Sequence, residues 1–215
     1  MSERLPLFPL HTVLYPGVPI KLHIFEERYR RMMAGVIEGS REFGVVLIKE
    51  GREALGPLAL FHSRGCTARI THIEPLPAGR MNLLALGETR FNVESAKTED
   101  GYLVGDVIRL APLRNDSTDE FAAQDEIREL LVRYFKRLNR PIDATQLPEG
   151  LTELAYTAAY LIPIAQHRKQ ELLDQDRLSD LVDSLLDTLR QQLAMLEFMS
   201  KAAGTGAGDS TYNPN

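Results

Sequence analysis

The sequence predicts an α+β protein with a β-rich first domain, residues 1–113, and an all-helical second domain, residues 114–203. In the first domain short segments alternate apolar and polar residues, and only one early segment has helical periodicity. After Pro112 the apolar residues recur every three or four positions. Six or seven short strands with one helix favour a small mixed barrel or a folded sheet. The polar tail, residues 204–215, is predicted to be disordered.

The chain opens with extended structure over residues 5–25, because each proline biases the residue before it away from the helical region. Tyr15-Pro16-Gly17 predicts a tight turn, with φ preset by Pro16 and a positive φ at Gly17. With a positive φ there, substituting Gly17 by valine should cost about 1 kcal/mol or more. Beyond the turn, Ile20 and its alternate apolar neighbours predict a half-buried strand.

One early helix follows this strand. Tyr29, Met32, Met33 and Val36 recur at helical spacing, and Gly39 is a plausible stop. The remaining alternating segments predict strands over residues 43–49, 66–73, 80–87, 89–94 and 102–110. Gly87 falls between two of these segments and is interpreted as a turn or a bulge.

The second domain begins with a predicted capping box, in which Ser117 precedes Glu120 by three residues. Apolar stripes then predict helices over residues 127–138, 151–161, 165–173 and 178–196. Proline residues bound the loops between them.

Composition and charge exclude several functional classes. The net charge is −5 and the acidity is concentrated after Pro112, which argues against general nucleic-acid binding. No apolar stretch is long enough to span a membrane. Cys66 is the single cysteine, so no intrachain disulfide is predicted, which fits a cytoplasmic protein. No phosphate-binding loop or metal-ligand spacing occurs, so we expect no cofactor and no metal.

Cysteine–histidine chemistry is the main catalytic alternative. His62 and His72 flank Cys66 in sequence, which would suit a base beside a nucleophile. However, Cys66 begins an alternating segment, and this position predicts a buried small apolar residue. We therefore predict no catalytic residue and keep a small-molecule enzyme as an alternative that a deep pocket would favour.

Two surfaces are candidates for interaction. Aromatic and methionine side chains near the turn could form an adaptable peptide-contact surface, which would comprise Tyr15, Tyr29, Met32 and Met33. The alternative is that they pack the early helix onto the sheet. The last helix carries acidic residues at helical spacing, which would form either a solvated face or a docking surface, including one for a homodimer: Asp176, Asp180, Asp183 and Asp187.

Three stretches resemble the Lon substrate-binding domain, the N-terminal region of ATP-dependent Lon proteases. The first is LPLFPLHTVLYPGVPIKLHIFEERYRRMM, which resembles the opening signature of that family. The second is GCTARITHIEPLPAGRMNLLALGETRFNVES, and the third is LTELAYTAAYLIPIAQHRKQELLDQDRLSDLVDSLLDTL. They occur in the order in which the family has them.

The resemblance implies a PUA-like β-rich pseudobarrel followed by a helical bundle. It also implies recognition of unfolded or extended polypeptide segments in protein quality control, with cooperation with a separate protease left open. The chain ends after the bundle, without the ATPase loop or the Ser-Lys protease domain, so we expect a freestanding, non-enzymatic module. Because PUA-like folds often serve RNA, an RNA-binding module is the alternative.

Overall fold

The computed structural model describes residues 2–50, 60–115 and 119–205. The strands are β1 Glu3–Leu10, β2 Pro19–Ile24, β3 Glu42–Glu50, β4 Leu60–Pro75, β5 Met81–Glu99 and β6 Tyr102–Arg109. The helices are α1 Glu27–Glu38, α2 Glu120–Arg137, α3 Leu151–Leu161, α4 Gln166–Leu173 and α5 Leu178–Thr205. Short 3₁₀ turns lie at Pro77–Gly79 and Ala144–Gln146.

Five of the six strands close into a ring. The order across the sheet is β2-β5-β4-β3-β1-β6, and β6 also pairs with the second half of β5. The β1–β3 pair is parallel and the other pairs are antiparallel. β2 lies outside the ring, where it pairs with the first half of β5. The predicted α+β architecture, with a small mixed barrel followed by helices, is therefore confirmed.

The predicted turn before β2 is present. The backbone N–H of Val18 donates to the carbonyl of Tyr15 over 3.2 Å, and Gly17 has φ +76°. α1 also forms where its periodicity predicts it. Gly39 ends the helix without a positive φ, and the left-handed conformation occurs two residues later, at Arg41.

β5 differs from the sequence prediction. The segments 80–87 and 89–94 form one continuous strand, so Gly87 is not a turn. The register of β5 against β4 shifts between Gly87 and Arg90, which agrees with the other interpretation, a bulge. Its N–H donates to Val18, and its carbonyl accepts from Gly17. A Cβ at this position would overlap the Tyr15 carbonyl oxygen. Glycine is therefore required for the close approach of two backbones.

The helices of the second half follow their apolar stripes closely. α3 spans the predicted residues, and α5 continues to Thr205, two residues into the segment predicted to be a disordered tail. Ser117 of the predicted capping box and residues 206–215 lie outside the described residues. The N-cap of α2 is Asp119, whose side chain accepts from the Ala122 N–H.

A single apolar core runs through both halves of the chain, while a smaller cluster fills the strand ring around Leu7 and Phe91. At the junction, Tyr15 stacks on Tyr156 with 5.5 Å between ring centroids. Its hydroxyl donates to the Lys169 carbonyl over 2.7 Å. The two predicted domains therefore share one core, and the boundary near residue 113 divides the sequence but not the packing.

Gly87→Ala is expected to destabilise the protein by about 1–3 kcal/mol, because the added methyl group would force the β5 and Tyr15 backbones apart. The measurement is the free energy of unfolding in urea. Gly35→Ala is the matched control, because Gly35 lies within α1 with no neighbour near its Cβ position. That control should gain about 0.5–1 kcal/mol, and equal effects for the two variants would contradict the close approach.

Glu42 connects β3 to neighbouring strands through a buried carboxylate. Its two oxygens accept from Arg109 over 2.8 and 2.9 Å. Burial by itself would raise the pKa of Glu42, but hydrogen bonds from Arg109 and Thr67 and the charges of Arg109 and Arg69 outweigh it. The pKa therefore lies below the ordinary value of 4.5.

Because the pKa of Glu42 is lower in the folded protein than in the unfolded chain, the free energy of unfolding decreases at acid pH. The contribution of Glu42 is fully present above its ordinary pKa and is lost as the pH falls through the lowered value. Glu42→Gln should reduce the free energy of unfolding at pH 7 and flatten its decline below about pH 5. Urea unfolding over that range measures both, with the exposed Glu94→Gln as control. An unchanged acid dependence in Glu42→Gln would contradict this assignment.

Candidate functional site

The structure corrects the predicted peptide-contact surface. Tyr15, Met32 and Met33 are at most 1% exposed, and Tyr29 is 6% exposed. The alternative interpretation, in which these residues pack the early helix onto the sheet, describes their positions. The apolar stripe of α1 faces inward, and the ring centroids of Phe8 and Tyr29 lie 4.2 Å apart. With at most 1% of their surface exposed, Tyr15, Met32 and Met33 cannot supply an interaction surface.

Beside these residues, β2 borders an open groove. Two cavities of about 280 and 400 Å³ lie along the strand, and Lys21 lines both of them. The first is walled by Phe8, Leu10, Phe25 and Tyr29, so one of the predicted residues does reach the groove. The second extends toward the helical half. We call this paired depression the β2 groove.

The walls of the second cavity come from the turn after β1 and from α3. Val13, Leu14 and Ile20 line it, together with Tyr160 at the end of α3. Sequence reasoning missed Tyr160, because no local pattern brings residue 160 beside residue 20. Only two sequence signals pointed to β2, the strand that borders the groove. They were its alternating apolar residues and the single proline at its start.

Two aromatic side chains remain exposed at the groove. Phe25 is 52% exposed and stacks against His23 with 5.8 Å between ring centroids. Tyr160 is 46% exposed, and the Lys169 ammonium group donates to its backbone carbonyl over 2.6 Å. Burial lowers the pKa of Lys169. These rings offer apolar contact area at opposite ends of the groove.

A third depression lies on the outer face of β2, β5 and β4, and its lining combines ionisable and amide side chains with three leucines. His23 Nδ1 lies 2.8 Å from the Asn82 side-chain oxygen, and the Asn82 amide donates to Glu74 over 2.7 Å. His72 also lines this depression of about 500 Å³. The open and solvated setting does not provide the enclosed pocket that the enzyme alternative requires.

Cys66 is fully buried in β4, as its place in the alternating segment predicts. Burial raises the pKa of the Cys66 thiol far above its ordinary range, so the reactive thiolate is disfavoured. Burial, followed by the charge of Lys49, lowers the pKa of His62. His72 lines the outer depression, whereas Cys66 is fully buried and does not line it, so this pair does not form an accessible nucleophile and base.

Within residues 2–50, 60–115 and 119–205, no three His, Cys, Asp or Glu side chains are grouped closely enough to hold a metal ion. The helices of that same part of the chain include none with the length and apolar character needed to cross a membrane. The acidic residues Asp180, Asp183 and Asp187 of α5 lie on its exposed side. Asp176 precedes α5, contrary to the prediction, and forms an ion pair with Arg64 over 2.9 Å.

The strand ring, the additional edge strand and the packed helical bundle define a two-part α+β domain with a groove at the open edge of its sheet. A family model described as the ATP-dependent protease La (LON) substrate-binding domain matches residues 4–191. The chain belongs to this family, as the three sequence stretches indicate.

Relatives and solved structures agree with this assignment. The chain is 26% identical over 197 residues to a Lon protease from Flavobacterium johnsoniae, covering 88% of this chain and 24% of that protein. A Lon N-terminal domain protein from Xanthomonas campestris is 26% identical with a TM-score of 0.67, covering 86% and 98% of the two chains. The Lon N-terminal domain of the Mycobacterium avium complex has the same TM-score at 19% identity, with 87% and 98% covered. The chain spans about a quarter of the length of the curated relatives.

The correction of the predicted surface can be tested by stability. Met33→Ala should lower the free energy of unfolding by about 2–5 kcal/mol, because it leaves a cavity under α1. Phe25→Ala should change it by about 0.5 kcal/mol or less, since the Phe25 ring is half exposed. Urea unfolding at pH 7 compares them, and a small loss for Met33→Ala would restore Met33 as a surface residue.

Proposed function

We propose that the chain is a non-catalytic module that recognises unfolded or extended polypeptide segments. The observation that carries the proposal is membership of a family described as a substrate-binding domain, combined with the β2 groove. In Lon proteases the substrate is a polypeptide, so the same class of ligand is transferred here. A role in cytoplasmic quality control, in partnership with a separate protease, is part of this proposal.

The groove has the composition that apolar polypeptide segments favour. Its walls are mostly aliphatic and aromatic, and exposed Phe25 and Tyr160 stand at its two ends. Polypeptides bind such grooves by inserting apolar side chains while their polar backbone stays paired or solvated. Folded proteins bury their apolar side chains, so the groove favours unfolded segments.

The charges of the groove support polypeptide over RNA. Lys21 and His23 are the basic side chains that line it, and Glu26 is the acidic one. RNA binding requires several cations that neutralise phosphates. This balance suits a neutral or weakly acidic peptide, and the RNA-binding alternative would require the basic groups to lie elsewhere.

The experiment measures binding of the full chain to reduced, carboxymethylated α-lactalbumin, which stays unfolded, and to native α-lactalbumin. Fluorescence anisotropy should show binding of the unfolded form and at least tenfold weaker binding of the native form. Tyr160→Ala should weaken binding of the unfolded form about three- to tenfold, which is the loss expected for one exposed aromatic contact. Incubation with casein should produce no cleavage.

Phe121→Ala is the matched control, because Phe121 is an exposed aromatic residue, 82% exposed, at the start of α2 and outside the groove. Its binding should equal that of the unchanged protein. Failure to bind unfolded α-lactalbumin at several hundred micromolar would overturn the proposed function. A salt-dependent shift of structured RNA would favour the alternative.

A further inference from the structure

The backbone of β2 has an unused hydrogen-bonding edge. In the described part of the chain β2 pairs only with β5. The Val18 carbonyl accepts from the Gly87 N–H, which marks Val18 as a position that faces β5. Hydrogen-bonding direction alternates along an antiparallel strand, so Ile20 and Leu22 also face β5, whereas Lys21 and His23 present their N–H and C=O groups outward.

Pro19 agrees with this alternation. Its register partner is Leu86, and it occupies a position whose N–H would point away from β5. A proline is tolerated there because no ladder hydrogen bond is lost. The outward edge therefore offers the carbonyl of Pro19 and both backbone groups of Lys21 and His23. This length matches a short added strand.

The unused edge faces the β2 groove. Lys21, the central outward residue, lines both cavities of the groove. On the far side of the first cavity lie Phe8 and Leu10, in the part of β1 beyond the end of its pairing with β6 at Leu7. An opening thus lies between β2 and the end of β1, with apolar walls and a row of backbone donors and acceptors.

We propose that an extended polypeptide segment binds by adding a strand to the outward edge of β2. This inference rests on the proposed function and specifies its binding mode. The backbone of the segment would pair with Lys21 and His23, because an extended chain is the ligand whose donors and acceptors alternate at strand spacing. Its inward side chains would contact Phe8, Leu10 and Tyr29.

The side chains of β2 determine which residues are preferred on the outward face of the bound segment. Lys21 and His23 point to the same side of the strand, since they are two residues apart. A segment with acidic or neutral residues at the positions beside Lys21 is favoured, and one with lysine or arginine there is disfavoured. The occupant is therefore an extended, alternating segment whose inward residues are apolar and whose outward residues carry no positive charge.

Lys21→Pro tests the backbone contact, because proline removes the outward N–H and leaves the β2–β5 hydrogen bonds in place. Lys21→Ala is the matched control that removes the side chain and keeps the N–H. With unfolded, carboxymethylated α-lactalbumin as the probe, Lys21→Pro should weaken binding at least tenfold, and Lys21→Ala less than threefold. Equal binding by the two variants would overturn strand addition.

Amide hydrogen exchange of the unchanged protein gives a second measurement that does not depend on how the proline variant folds. With the unfolded probe bound, the Lys21 and His23 amides should exchange at least tenfold more slowly. If the probe binds but these amides stay unprotected, strand addition is wrong and the proposed function stands. If the probe does not bind at all, the proposed function itself fails.

A second copy of the chain is the competing occupant of this edge. Sedimentation of the unchanged protein and of Lys21→Pro distinguishes the two cases. Monomers in both samples at the binding concentrations support a polypeptide partner. A dimer that Lys21→Pro dissociates would overturn the proposal in favour of edge-to-edge pairing between copies.

Discussion

The junction between the strand ring and the helices depends on the burial of Tyr15. Its ring stacks on Tyr156, its hydroxyl donates to the Lys169 carbonyl, and its own carbonyl lies against Gly87. Arg90 adds a buried guanidinium group that donates to the carbonyls at the end of α4, Leu173 among them. The last carbonyls of a helix have no partner within the helix, so side chains from the strand half complete α4. Each half therefore supplies groups that the other needs, which explains why one core spans both.

This junction also determines the shape of the β2 groove. Lys169 accepts the Tyr15 hydroxyl with its carbonyl and donates its ammonium group to the Tyr160 carbonyl. The contact that joins the halves thus continues directly to an aromatic wall of the groove. Because Lys169 is buried, loss of either hydrogen bond would leave a polar group without solvent, which favours a fixed position for Tyr160. The aromatic wall at Tyr160 is therefore anchored to the buried junction.

The sequence predicted the secondary-structure elements better than the tertiary contacts that these elements make. Periodicity placed α3 and the β2 alternation, because both depend on residues close together in the chain. It divided β5 at Gly87, because a glycine required by a distant carbonyl resembles a glycine in a turn. It placed Met32 and Met33 on one face of α1, but periodicity does not say whether that face meets solvent or the sheet. The groove was not predictable, since its walls come from residues far apart in the sequence.

The position of β2 follows from the closure of the ring. β5 is long enough to pair with β6 over its second half, and this pairing closes the ring and uses the strand edges there. The first half of β5 pairs with β2 on one side and β4 on the other, so among the described strands the unpaired edge of the sheet is the outer edge of β2. Open edges invite pairing with other chains, and proline and lysine are the residues that restrain it. Pro19 and Lys21 shorten the usable edge and charge it, which limits pairing between copies while an apolar wall remains for a weakly acidic or neutral segment. The edge of β2 is restrained by proline and lysine but is not covered by another element of the chain that the structure describes. Such an edge can add a selected strand without promoting aggregation.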